Sequence, residues 1–151
     1  LIQVSSGLLR LTIVPTFDTP TPTSMILDAG ASTHDRVTLY FDAGGLLTLR
    51  LIDSAGTTKT CSLTPVRTLT PNAGEFTHVR DAAVQINARW SSADISLSAG
   101  NGSKQAFITG TWVPRDAQMT NYTVGCDIAG ANPFDGLIVG RESLLISPPT
   151  S

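Results

Sequence analysis

Residues 76–102 constrain the fold most strongly. Every second position from Val84 to Trp90 is apolar, and polar residues fill the gaps. This period of two gives a strand one face that is buried in the core and one face that is exposed to solvent. Residues 91–94 have turn chemistry, and Ile95 to Ala99 alternates again before stopping at Gly100. The segment therefore predicts two antiparallel strands joined by a short turn, with Trp90 in the core.

Similar strand-like runs recur along the chain about every 8–12 residues, with Gly, Pro, Asp and Ser between them. No window shows a capped apolar stripe of helical period. The other predicted strands are 8–14, 24–28, 37–41, 46–52, 57–63, 106–112, 122–128, 136–139 and 143–146. The pattern predicts an all-β fold, either a sandwich or a barrel, whose buried faces include Leu9/Leu11/Ile13, Val37/Leu39/Phe41, Leu47/Leu49/Leu51, Ile86/Ala88/Trp90 and Ile95/Leu97.

Length and composition limit the domain count and the partners. The 151 residues suit one domain, which we place at 1–147, with 148–151 as a tail or linker. The chain begins with Leu1, which suggests a processed chain or an excised domain. Only 15% of residues are charged, below the usual quarter or so. A surface rich in Ser, Thr, Asn and Gln suits a neutral glycan or close neighbours in an assembly, and it is also common on ordinary β-proteins.

Charge and hydropathy argue against two classes of partner. The net charge is −2 and the ten basic residues are scattered, so no basic stripe is available for nucleic acid. No apolar run approaches the roughly 20 residues of a membrane span. We therefore expect neither nucleic-acid binding nor membrane insertion.

Candidate reactive groups are few. Cys61 and Cys126 either form one bridge or stay as two free thiols, and with the distant His34 and His78 they supply no convincing zinc ligand set. For His78 we expect a strand-end residue whose ring is hydrogen-bonded locally. Neither cysteine lies beside a histidine, and no G-x-S-x-G motif is present. These features predict that the chain is not an enzyme.

Five segments, in order along the chain, carry a family resemblance. They are Gly7–Pro15, Arg36–Ser54, Gly74–Val79 followed by Trp90 and Asn101-Gly102, Tyr122–Gly125, and Asn132–Ile138. Together they resemble the laminin-G-like, concanavalin A-like lectin domains. The resemblance implies a two-sheet antiparallel β-sandwich in jelly-roll order. Glucanases of this fold use two carboxylates close together, whereas the two glutamates here, Glu75 and Glu142, are far apart in sequence.

The resemblance also suggests a binding site. Relatives that bind sugars use aromatic, amide and carboxylate side chains on loops, sometimes with Ca²⁺. The candidate glycan-binding residues here are Trp112, Tyr122, Asn121, Asn101 and Arg89; Trp112 suits either the core rim or an exposed contact. Asp127, Asp135 and Asn132 offer enough oxygens near one loop to hold Ca²⁺, or they cap turns. No cofactor is required by this interpretation, and Ca²⁺ is the one candidate.

Two functions remain open at this stage. The first is a non-catalytic, lectin-like module that binds glycan on a cell or particle surface. The second is a structural module of a virus or phage particle, such as a capsid decoration, tail fibre or spike, which acts through protein–protein contacts and is compatible with a homo-oligomer. Both place the chain outside the cell or on a virion or phage particle.

Overall fold

The fold is all-β in the part of the chain that the structure describes. The computed structural model describes residues 3–19, 24–30, 33–115, 119, 121–127 and 129–139. Within them lie eleven strands and no helix: β1 (Gly7–Pro15), β2 (Ser24–Ala29), β3 (Arg36–Phe41), β4 (Leu47–Ile52), β5 (Thr58–Val66), β6 (Glu75–Thr77), β7 (Val84–Trp90), β8 (Asp94–Ala99), β9 (Gly102–Phe107), β10 (Tyr122–Val124) and β11 (Gly136–Val139). These residues therefore contain no helix that could cross a bilayer.

The strands form two sheets. One has five strands in the order β11-β1-β7-β8-β9, and the other has six in the order β10-β2-β3-β4-β5-β6. The pairs are antiparallel except β5–β6, which is parallel. That pair corrects the expectation of purely antiparallel sheets. The reason is that residues 67–74 carry the chain back along β5 before β6 begins, so both strands run the same way.

One hydrophobic core lies between the sheets, an arrangement compatible with a β-sandwich. The apolar positions of the alternating strands point into it, and Trp90, Phe41 and Phe76 are its largest fully buried side chains. All of the core faces predicted from the alternation are buried. The indole nitrogen of Trp90 donates to the carbonyl of Gln3 at 2.8 Å, so the ring is buried without an unsatisfied donor. Burying these side chains stabilises the fold by roughly 25 cal/mol per Å² of apolar surface.

The strand prediction was wrong in the second half of the chain. The strand expected at 106–112 is instead β9, which begins at Gly102 directly after the two-residue turn Gly100-Asn101. The alternation is hard to see there because Ser103, Lys104 and Gln105 are all polar. The strand expected at 122–128 stops at Val124, since Gly125 has a φ of +84°. The strand expected at 143–146 lies outside the described residues.

Gly102 shows how tightly β6 packs against the turn between β8 and β9. A Cβ atom built on Gly102 would lie 1.9 Å from the carbonyl oxygen of Glu75 and 2.7 Å from Cβ of Phe76. Since real Cβ atoms do not approach that closely, only glycine fits at this position.

Two lysines lie at the border of the core, on the side of each sheet that is farther from the edge strands β11 and β10. Lys104 on β9 pairs with the buried Leu97, so it shares the inward face of its strand although it is exposed. Lys59 on β5 likewise pairs with the buried Leu51, and its ammonium donates to the carbonyl of Thr109. Charged side chains in such inward positions are a known device for protecting a sheet edge.

His78 follows β6, as expected, but its ring is not hydrogen-bonded locally. Its Nε2 lies 3.0 Å from the carbonyl oxygen of Phe17, which is remote in sequence. Because a carbonyl only accepts, Nε2 carries the proton. The ring is buried and stacks on Phe17, with Phe41 and Phe76 edge-on to it.

Candidate functional site

The predicted site residues lie in several separate parts of the fold. Asn101 is in the turn between β8 and β9, Arg89 is in the middle of the five-stranded sheet, and Tyr122 begins β10 at the edge of the six-stranded sheet. The structure therefore does not gather the five candidate glycan-binding residues around one loop rim.

Asn101 is engaged in holding the loop at residues 67–77. Its side-chain oxygen accepts from the backbone N–H of Thr77 at 3.0 Å, and its amide nitrogen donates to the carbonyl of Leu69 and to the hydroxyl of Thr77. With both ends of the amide used, this residue has little left to offer a ligand. Its evident role is to fix that loop against the turn.

Trp112 lies at the rim of the core. It is half-buried and packs against the core cluster, and its Nε1 is buried with no acceptor in the described part of the chain. The next residue is tied down: Val113 donates its N–H to Asp53 at 2.9 Å, and its carbonyl accepts from Ser54. Of the two alternatives for Trp112, the core rim is the one observed.

Asn121 and Tyr122 lie at the start of β10. Both are exposed, and the carbonyl of Asn121 accepts the N–H of Gly30 at 3.0 Å. Tyr122 pairs with Ala29 across the sheet and is half exposed. These two residues are available for contact, but on the opposite sheet from Arg89.

Asp127 begins a five-residue turn of a kind that occurs three times in the described part of the chain. In each copy the first residue is an aspartate whose carboxylate accepts backbone N–H groups of its own turn, and the fourth is a glycine with φ between +80° and +85°. The copies are Asp42–Leu46, Asp53–Thr57 and Asp127–Ala131. A carboxylate in this position satisfies the turn backbone, and glycine supplies the left-handed conformation.

The three residues named for Ca²⁺ have roles within their own loop. Asp127 accepts from the N–H of Ala131 and from the side chain of Asn132, each at 2.7 Å. The Ala131 hydrogen bond is the main reason that the pKa of Asp127 is lowered. Asp135 is exposed, and its carbonyl accepts the N–H of Thr16. Among the described residues, no group of three or more Asp, Glu, His or Cys is arranged to hold a metal.

The outer side of the five-stranded sheet brings hydrogen-bonding side chains from four strands together. Because its strands alternate, the residues between the buried ones all point outward. The part of this outer side formed by β7, β8, β9 and Arg10 is called the polar face, and its residues are Arg10, Gln85, Asn87, Arg89, Asp94, Ser96, Ser98, Ser103, Gln105 and Phe107. The remainder, on β1 and β11, is mostly apolar: Leu8, Thr12, Val14, Leu137 and Val139. Arg89 is the one sequence-predicted site residue that lies on the polar face.

Register aligns these side chains in rows across four strands. One row runs Leu8, Arg89, Ser96, Gln105, and the next runs Arg10, Asn87, Ser98, Ser103. Neighbouring strands are about 4.8 Å apart, so a row of four spans about 14 Å. The face thus offers guanidinium, amide and hydroxyl groups at regular intervals.

Phe107 is the aromatic residue of the polar face and was not among the predicted site residues. It is 73% exposed and pairs with Asp94 at the edge of the sheet. Gln105, one row away, donates to the Asp94 carboxylate, which also accepts from Ser91 at 2.9 Å. These two hydrogen bonds, with a smaller contribution from Arg89, lower the pKa of Asp94 despite its partial desolvation. The sequence does show an aromatic residue at position 107. Because the strand was predicted at 106–112 and not at 102–107, the outward position of Phe107 on β9 was not recognised.

Both cysteines are free thiols. Cys61 is buried, and burial raises its pKa; Cys126 is half-buried. Of the two alternatives left open by the sequence, the structure has the unbridged one.

Comparison with known proteins adds no assignment. A scan against protein-family models finds no match, and a search of curated proteins finds no significant one.

Proposed function

We propose that the chain is a non-catalytic, lectin-like recognition module that binds glycan on a cell or particle surface through the polar face. The observation that carries the proposal is the 73% exposed Phe107 beside a row of amide and hydroxyl side chains. An aromatic ring stacks on the apolar side of a sugar, while amides and hydroxyls bond its hydroxyl groups. Arg89 and Gln105 then take part as hydrogen-bonding partners.

The proposed fold within this assignment is a jelly roll of the laminin-G-like, concanavalin A-like kind. In the six-stranded sheet, β2, β3 and β4 follow one another and β10 returns to lie beside β2. That is the strand order of a Greek key, the unit from which jelly rolls are built. The order supports the resemblance without depending on any one motif.

The test is a glycan array followed by calorimetric titration, with and without Ca²⁺. We expect Phe107→Ala to weaken binding about tenfold, because a stacking contact and its buried area are lost. The matched control is Leu69→Ala, which removes a similarly exposed apolar side chain on a distant loop. Binding to no polysaccharide under either condition would overturn the proposal, as would equal effects of the two substitutions.

The second candidate is a structural module of a virion or phage particle. It is favoured by apolar side chains on the two edge strands β10 and β11, where Leu137 is 62% and Tyr122 50% exposed. Analytical ultracentrifugation tests it: Leu137→Asp should dissociate any self-assembly that wild type forms. A wild-type chain that stays monomeric at high concentration and belongs to no particle would eliminate this candidate.

A further inference from the structure

The polar face differs in charge from the rest of the chain. The whole chain carries a net charge of −2. On the strands of the five-stranded sheet, as far as the structure describes them, the only acidic residue is Asp94, whereas Arg10 and Arg89 both point outward. The polar face is therefore locally cationic.

The two arginines are diagonal neighbours. Arg10 pairs with Asn87, and Arg89 pairs with Leu8, so each arginine lies one diagonal step from the other across β1 and β7. Diagonal partners have Cα atoms about 7–8 Å apart, within reach of long side chains. The Nε of Arg10 donates to Asn87 at 2.9 Å, which directs its guanidinium toward β7.

Most of the guanidinium donors have no partner among the residues that the structure describes. Only Nε of Arg10 is used in a described hydrogen bond, and no described residue accepts from Arg89. Arg89 is close enough to lower the pKa of Asp94 slightly, but the described hydrogen bonds to the Asp94 oxygens come from Ser91 and Gln105 and not from Arg89. The two diagonal guanidinium groups carry like charges that repel each other, and an anion between them would remove that cost.

From this arrangement we infer that the bound glycan is acidic and that a sugar carboxylate is held between Arg10 and Arg89. The inference rests on the proposed glycan-binding function and adds the class of ligand. A planar guanidinium binds a carboxylate through two parallel hydrogen bonds. The neighbouring sugar would lie along the row of Ser96 and Gln105 toward Phe107.

The experiment compares one oligouronate with the same oligosaccharide after reduction of its carboxyl groups. Both are titrated calorimetrically into the wild-type chain and into Arg10→Gln, Arg89→Gln and Arg115→Gln. The last is the matched control, because Arg115 is exposed and lies outside the polar face. We expect Arg10→Gln and Arg89→Gln each to weaken binding of the acidic form about tenfold, the usual scale of a lost charge-assisted hydrogen bond.

Salt provides a second readout. Raising the ionic strength from about 0.05 M to about 0.5 M should weaken binding of the acidic form and leave the reduced form nearly unchanged, since screening acts only on the charged contact. Arg89→Gln should remove most of that salt dependence.

The outcomes separate this inference from the function beneath it. If both oligosaccharides bind equally to wild type, or if Arg115→Gln weakens binding as much as Arg89→Gln, the carboxylate site is refuted while glycan binding stands. A preference for a sulfated chain over the uronate also refutes it. If neither form binds and an array shows no other glycan, the proposed function and this inference fail together.

Discussion

Replacing Asp53 tests whether one buried carboxylate ties two distant segments together. Asp53 has no exposed surface. One carboxylate oxygen accepts from the N–H groups of Ala55 and Thr57 at 2.9 and 2.7 Å, and the other accepts from Val113 at 2.9 Å. The first two bonds close the turn between β4 and β5. The third holds the segment that contains Trp112 against this turn, at the rim of the core.

The substitution Asp53→Asn keeps the shape but not the acceptors. Its one carbonyl oxygen can serve Ala55 and Thr57 at reduced strength, while its NH₂ group faces the N–H of Val113, donor against donor. One charge-assisted bond of about 1.5–3 kcal/mol is lost and two are weakened, so we expect the free energy of unfolding to fall by about 3 kcal/mol. For a domain of this size that corresponds to a Tm lower by about 9 °C.

The assays are urea denaturation and amide hydrogen exchange followed by NMR. Exchange at Val113 should accelerate more than exchange at Thr57, because only the Val113 bond is lost outright. The matched control is Asp42→Asn: Asp42 closes an equivalent turn but is half-buried and bonds no remote backbone group. If the two variants lose the same free energy within about 0.5 kcal/mol, or if Val113 keeps its protection, the reasoning is wrong.

The same carboxylate predicts a pH dependence. Burial raises the pKa of Asp53, but the hydrogen bonds from Val113, Thr57 and Ala55 outweigh it and leave the pKa below its usual value. A folded-state pKa below the unfolded one gives stability that is complete above the unfolded value, about 3.9, and is lost as pH falls through the folded one. The difference in unfolding free energy between wild type and Asp53→Asn should therefore be constant near neutral pH and shrink below about pH 4. A difference that is unchanged down to pH 2 would contradict this.

Two further substitutions have clear expectations. Asp28 is fully buried and accepts hydrogen bonds from Arg36 through both carboxylate oxygens. Because Asp28→Ala leaves a half-buried cation without this partner, urea denaturation should show the free energy of unfolding lowered by about 3–5 kcal/mol. A loss below about 1 kcal/mol would show that Arg36 finds another acceptor. Gly102→Ala should push β6 away from the turn between β8 and β9. Thermal unfolding should then show the free energy of unfolding lowered by at least about 2 kcal/mol. A Tm equal to that of wild type would contradict the close approach of Gly102 to Glu75.

The sequence predicted the core better than the edges. From Val84 to Trp90 alternation by itself identified the buried side chains, since one face of the strand lies in the core. From Leu47 to Leu51 it identified the buried leucines but missed Thr48, which is buried on the other face. β9 has no such signal: it is an edge strand, its inward Lys104 stays exposed, and a misplaced strand was predicted after it. The parallel β6 has three residues, too short for any period to show.

The candidate site was predictable only in part, because a sheet face is assembled by register. Arg89 was named from its residue type, and its alternation already placed it on the wet side of β7. That Arg10 lies beside it depends on β1 pairing with β7, two strands far apart in sequence. Asp127 shows the reverse case: its oxygens suggested a cation site, whereas the glycine at Gly130 and the five-residue spacing match the turns at Asp42 and Asp53.

The two inward lysines have a consequence for how copies of the chain can grow into larger structures. A strand added beside β9 would have to desolvate the ammonium group of Lys104, whereas β10 and β11 contain no charged residue. Among the described edge strands, the side of β10 and β11 is therefore more favourable for strand addition than the side of β9. We expect copies that join through this side alone to form closed pairs, because an open fibre needs two different complementary surfaces on each copy.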